Sequence, residues 1–124
     1  MKYRIDKTEV YATLSLEEEN LNSVIAPALK SEFIFLNQEG IPNLILDMSG
    51  VKFVDSSGLS AILTAHRLWK DQGCFVLAGP LNPLVTKLIE ISRLDSILII
   101  TPTVSEAVDY VIMDAMEREL KNGE

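Results

Sequence analysis

From the amino terminus the apolar positions alternate. Tyr3 and Ile5, then Val10, Ala12 and Leu14, flank the polar stretch Asp6-Lys7-Thr8-Glu9. Period-two spacing on both sides of a polar turn predicts two short antiparallel strands, a hairpin. From Val24 the period lengthens. Ile25, Leu29, Phe33 and Leu36 fall at i, i+4, i+8 and i+11, one helical face, and Gly40 stands where such a helix would stop. A helix beginning at Asn22 or Ser23 would contain Pro27, which lacks the N–H and crowds the preceding turn. The pattern therefore leaves the start of this helix open over several residues.

Beyond Pro42 the pattern repeats as strand then helix. Asn43–Met48, Cys74–Ala78 and Ile97–Ile100 are short runs, apolar on both faces. Such runs suit strands covered on both sides, as in parallel sheets. Between them a second helix is predicted over roughly Ser57–Asp71. A third has Asn82 as N-cap, Pro83 in its first turn, and Leu84, Val85, Leu88 and Ile89 on one face. The last opens with Thr103-Val104-Ser105-Glu106, a capping box in which two side chains satisfy orphan backbone donors reciprocally. Its apolar face is Ala107, Val108, Val111, Ile112, Ala115 and Met116, and the tail Lys121-Asn122-Gly123-Glu124 is expected to fray. The alternation, with no Pro/Gly/Ser-rich linker, predicts one α/β (α+β) domain over residues 1–124, its core spanning about residues 2–116. A small mixed sheet with an N-terminal hairpin and about four helices is the expected architecture.

Composition narrows the function. The chain has 124 residues, 48% hydrophobic and 23% charged, a balance that excludes wholesale disorder. Its net charge of −7 argues against nucleic acid and against an anionic membrane surface, both of which demand clustered Lys and Arg. One Cys and one His supply neither a disulfide framework, a Cys-x-x-Cys site nor a zinc centre. Cys74, inside Cys74-Phe75-Val76-Leu77, reads as a small buried hydrophobe. Met1-Lys2-Tyr3-Arg4-Ile5-Asp6 lacks the apolar stretch of a signal peptide, and no run reaches the ~18 residues of a membrane span. A cytoplasmic domain binding neither metal nor cofactor is the expectation.

Catalytic motifs are sparse. The chain has no glycine-rich dinucleotide or phosphate loop. Ser49-Gly50-Val51-Lys52 matches Ser-x-x-Lys without companion motifs and reads as a turn. Asp55-Ser56-Ser57-Gly58 lacks the first glycine of a nucleophile elbow. His66, two turns beyond Ser57, reads as a partly packed surface histidine. Asp47 and Asp55 could share one edge of the sheet and hold a magnesium ion or divide acid and base roles. A phospho-receiver is excluded because Asp6 stands alone and Thr101-Pro102-Thr103, not a lysine, follows the last strand. The predicted strands exclude an all-helical acyl carrier.

There remains Val54-Asp55-Ser56-Ser57-Gly58-Leu59. Its plain reading is a helix N-terminus capped by Asp or Ser. At ~100° per residue, Ser57, Ser60, Thr64, Arg67 and Asp71 share one face of the following helix, opposite Ala61, Ile62, Ala65, Leu68 and Trp69. Another protein could approach closely where that stripe begins with small hydroxyl residues. The positive end of a helix dipole favours a phosphate there by ~0.3–1 kcal/mol, and a modified Ser57 would add roughly −1.5 to −2 charges.

At these residues the chain resembles a known family. Leu44-Ile45-Leu46-Asp47-Met48-Ser49, followed by Val51-Lys52-Phe53-Val54-Asp55-Ser56-Ser57-Gly58-Leu59, is similar to the core motif of STAS domains, and more narrowly to bacterial anti-sigma factor antagonists. The resemblance runs over nearly the whole chain and is sharpest from Leu44 to about Leu77. It implies a partner that is both an anti-sigma factor and a serine kinase. The unmodified antagonist binds that partner and frees the sigma factor, phosphorylation of the serine before the glycine abolishes binding, and a metal-dependent serine phosphatase restores it. Carried over, Ser57 is the phosphorylated residue, with Asp55, Ser56, Ser57, Gly58, Ser60 and Thr64 meeting the partner. ATP belongs to the kinase, and the chain itself would be a monomer or weak dimer. Two departures stand out. Where the family often has a Gly-Glu-Leu-Asp-like stretch, this chain reads Leu14-Ser15-Leu16-Glu17-Glu18-Glu19-Asn20, and Ser60 and Thr64 replace very small residues on the exposed helix face. Two other functions compete with the switch: a non-switching STAS adaptor in a transport or signalling assembly, and a small enzyme using Asp47, Asp55 or His66.

Overall fold

The computed structural model describes residues 1–80 and 82–123. Its main sheet has five strands: β1 (Tyr3–Lys7), β2 (Ala12–Leu16), β4 (Leu44–Asp47), β6 (Phe75–Ala78) and β7 (Ile99–Thr101). They lie side by side in the order given. A separate parallel pair joins β3 (Asn20–Leu21) to β5 (Phe53–Val54). The helices are α1 (Ala26–Gln38), α2 (Ser56–Trp69), α3 (Pro83–Ile91) and α4 (Val104–Asn122).

β1 and β2 form the expected antiparallel hairpin, Tyr3 opposite Leu16 and Lys7 opposite Ala12. Thr8 closes its turn, its hydroxyl accepting from the N–H groups of Val10 and Tyr11 at 3.1 and 3.0 Å. Every later pairing in the sheet is parallel, with Ala12, Leu44 and Phe75 in one row and Leu77 opposite Ile100. The double-sided runs divide as their pleat requires. Leu44, Leu46, Phe75 and Leu77 pack with α1, α2 and α3 into the main core, where Phe33 and Trp69 meet edge to face. Ile45, Val76 and Ala78 face the other way, onto Ala107 and Val111 of α4. The fold is thus α/β with a mixed five-stranded sheet, four helices and both faces of its central strands covered.

Several boundaries differ from expectation for local reasons. α1 starts at Ala26, so Pro27 falls in the first turn, where its missing N–H costs nothing. The Asn22 carboxamide holds the approach by accepting from the Val24 and Ile25 N–H groups at 3.1 and 3.3 Å. The last strand is not Ile97–Ile100. Arg93 takes a left-handed conformation (φ 62°), and a 3₁₀ turn over Leu94–Ser96 follows. The N–H groups of Ile97 and Leu98 bond back to the Leu94 carbonyl at 3.0 and 2.8 Å, so the strand begins only at Ile99.

The apolar faces of the last two helices are narrower than the spacing suggests. Leu84, Ile112 and Met116 are exposed, while Val85, Ile89, Ala107 and Val111 carry the packing. The expected capping box is half formed. Thr103 accepts from the Glu106 N–H at 3.1 Å, but the Glu106 carboxylate meets the Thr103 hydroxyl at 3.3 Å rather than its backbone. α4 runs on to Asn122, through part of the tail expected to fray; Glu124 lies outside the described residues.

Candidate functional site

The head of α2 is held by the short β3–β5 pair. Phe53 lies opposite Asn20, and Val54 opposite Leu21. The backbone extends that pairing on both sides. Lys52 and Phe53 donate to the Glu19 carbonyl at 2.8 and 3.1 Å, and Asp55 donates to the Leu21 carbonyl at 3.2 Å. Asp55, with extended backbone (φ −105°, ψ −173°), then caps the helix. Its carboxylate accepts from the Gly58 N–H at 3.0 Å, and its carbonyl accepts from the Leu59 N–H at 3.0 Å. Such a cap contributes about 1 kcal/mol. Because Asp55 does the capping, neither Ser56 nor Ser57 is used for it.

Gly58 explains the close seating of the helix on β3. A Cβ at this buried position would run into the Leu21 carbonyl, with Val54 Cγ1 at 2.8 Å and Leu21 Cγ at 2.9 Å. Only a residue without a side chain lets α2 begin this near the strand.

The predicted division of α2 is present. Ala61, Ile62, Ala65 and Trp69 are buried and Leu68 half-buried; Ser60, Arg67 and Asp71 are exposed, with Ser57 and Thr64 half-buried between. The Thr64 hydroxyl is committed, donating to the Ser60 carbonyl at 3.0 Å. Ser56, Ser57 and Ser60 form one wall of an open groove of about 480 Å³. The opposite wall is Ser23, in the turn before α1, with Ala26, Pro27 and Lys30 in the first two turns of that helix. Those four were not among the sequence candidates. Pro27 and Lys30, at i and i+3, share a face of α1 that was legible from spacing. That this face meets the serines of α2 was not.

The other chemical candidates lie elsewhere. Asp47, half-buried at the end of β4, accepts from the Ser49 N–H at 3.0 Å, completing a turn. His66 lines a separate cleft of about 180 Å³ with Lys70, Cys74, Tyr110, Asp114 and Arg118, nine residues along the helix from Ser57. Its pKa lies below the usual 6.5, first because burial disfavours the imidazolium and then because Lys70 and Arg67 are close. Burial also pushes the Cys74 thiol up to about 12, which keeps it protonated and unreactive. Among the described residues no three His, Cys, Asp or Glu side chains converge as a metal site, and no helix is long and apolar enough to cross a membrane.

The fold has known counterparts. The family model for the STAS domain matches residues 4–107. An anti-sigma factor antagonist of Mycobacterium paratuberculosis superposes with a TM-score of 0.78 at 25% identity, over 89% of this chain and 92% of that one. A candidate anti-sigma factor antagonist of Thermotoga maritima gives 0.77 at 26% identity, over 88% and 93%. A sulfate transporter family protein of Wolinella succinogenes gives 0.70 at 17% identity, over 84% and 86%, a likeness of fold alone. The chain belongs to the STAS domain family.

Proposed function

We propose that this STAS domain is an anti-sigma factor antagonist whose docking is switched by phosphorylation of Ser57. The observation that carries the reading is the presentation of Ser57. Its side chain lines an open groove at the head of α2, on a backbone that Asp55 and Gly58 hold in place. The two antagonist likenesses at 25% and 26% identity extend over most of both chains and support the same role. The partner is an anti-sigma factor that is also a serine kinase, docking on Asp55, Ser56, Ser57, Gly58, Ser60 and Thr64 in the cytoplasm. ATP is held by that partner. The Ser57 hydroxyl loses its proton and gains the γ-phosphoryl group as the bond to the leaving ADP breaks. A metal-dependent serine phosphatase returns the free hydroxyl by hydrolysis.

Charge sets the direction of the switch. A phosphoryl group adds roughly −1.5 to −2 charges at the centre of the contact. Desolvating it against a partner surface that offers no cation costs several kcal/mol, and about 2.7 kcal/mol already weakens binding a hundredfold. The test is a pull-down from lysate of the source cell with wild type, Ser57→Ala and Ser57→Asp, each shown to be folded by circular dichroism. A kinase-type anti-sigma factor is expected with wild type and Ser57→Ala and lost with Ser57→Asp. Identical partners for all three would sink the switch and leave a non-switching adaptor.

A further inference from the structure

The groove beside Ser57 has a second wall, and its chemistry is uneven. Ser23, Ala26 and Pro27 contribute small or apolar surface, and Ser56, Ser57 and Ser60 contribute hydroxyls. One lining side chain is charged, Lys30. It is half-buried, on the second turn of α1. Lys7 and Lys52 reach carboxylates at 3.0 and 3.3 Å, whereas among the described residues no carboxylate lies within 4.0 Å of the Lys30 ammonium. The protein thus keeps a half-buried lysine, without an acidic partner among the described residues, in the groove that Ser57 also lines.

We infer that Lys30 is the intramolecular counter-ion of the phosphoryl group carried by Ser57, so that modification ties the fixed head of α2 to α1 across the groove. The inference rests on Ser57 being the switch residue and names what receives its charge. An ammonium facing a dianion across a groove walled by protein is screened less than an exposed pair. It favours the fully ionised phosphate and adds a charged link near the head of α2, whose far end already bonds α1 through the Asn37 amide and the Leu68 carbonyl. Asp55, whose carboxylate accepts from the Gly58 N–H, opposes it from the same turn, but Asp55 is common to all the proteins compared, so differences between residues at position 30 isolate the lysine.

Phosphoserine inserted at position 57 during translation supplies the modified protein without any kinase. In ³¹P NMR titrations the second ionisation of the phosphate, ordinarily near pH 6, is expected roughly half a unit lower in the otherwise wild-type chain than in Lys30→Met. Lys30→Arg should restore most of the difference. Phosphorylation should also raise the melting temperature of the wild-type chain more than that of Lys30→Met. Superimposable titrations in folded wild-type and Lys30→Met phosphoproteins would overturn the pairing. The same samples separate the two ideas. Partner binding lost in both, with no effect of Lys30 on titration, removes the counter-ion and leaves the switch. A Lys30-dependent titration with partner binding undiminished upholds the counter-ion and removes the switch.

Discussion

At its carboxyl end α2 is sealed by side chains whose polar groups are used inside the fold; at its amino end the backbone is held as closely but the side chains are left free. Trp69 is fully buried, edge to face with Phe33 at 6.4 Å, and its indole N–H donates to the Ile41 carbonyl at 2.9 Å. The Asn37 amide bonds the Leu68 carbonyl at 3.2 Å. Asn43, 4% exposed, joins the hairpin to β6 by donating to Val10 at 2.8 Å and accepting from the Cys74 N–H at 2.9 Å. Arg118 reaches across from α4 to the Gly73 carbonyl at 2.9 Å while pairing with Asp114 at 2.8 Å. At the other end, Ser57 and Ser60 line the groove, and among the described residues neither hydroxyl has a side-chain hydrogen bond. A polar group already paired inside the fold cannot be read by another molecule without breaking something. A free hydroxyl on a fixed backbone can.

The largest test of this contrast is Trp69→Ala. It removes a buried indole and its hydrogen bond, and about 3–5 kcal/mol of stability should go with it. Urea unfolding measures the loss; a cost under about 1 kcal/mol would show that this end is not the structural one. Gly58→Ala comes next, sharpening the claim that the open end is tightly held. The added methyl meets a backbone carbonyl that cannot rotate away, so about 1–3 kcal/mol should be lost. Binding of the unmodified protein to its partner should fall as well, because α2 must lift from β3. Full stability and full binding in this variant would remove the close approach as the device that presents Ser57.

The smallest effect is one of pH at the sealed end. Folding lowers the His66 pKa below 6.5. The unfolded chain therefore takes up the proton first, and the contribution of His66 is present above that value and lost as the pH falls through the folded pKa. Melting temperature should fall more steeply between about pH 8 and about pH 5 in wild type than in His66→Gln. Parallel curves would show that the imidazole is not disfavoured as a cation there.

Much of the fold could be read without coordinates where a pattern ran long enough. The double-sided runs of β4 and β6, the face of α1 and the Asn82 cap of α3 each follow from spacing or local hydrogen-bonding chemistry. Short or reversing segments were harder. β3 and β5 have two residues each, too few for any period to show. The displacement of the last strand depends on Arg93 adopting a backbone conformation that its residue type does not favour. At the site, the Asp55-Ser56-Ser57-Gly58 motif and the stripe along α2 were visible, but the purpose of Gly58 was not. Nothing local to the motif says that Leu21 lies against it.

Sequence alone determined the α/β class and a capped helix opening on two adjacent serines, because helix and strand periods and caps act within a few residues of one another. It also singled out Ser57 as the candidate for modification. Tertiary structure decided which wall Ser57 faces. Leu21, 37 positions before Gly58, requires glycine there, and Lys30, 27 positions before Ser57, supplies the groove's cation. The physical reason is range. A hydrogen-bonded turn is set by its neighbours in sequence, whereas a groove belongs to two helices at once and exists only when the core beneath them has brought both into place.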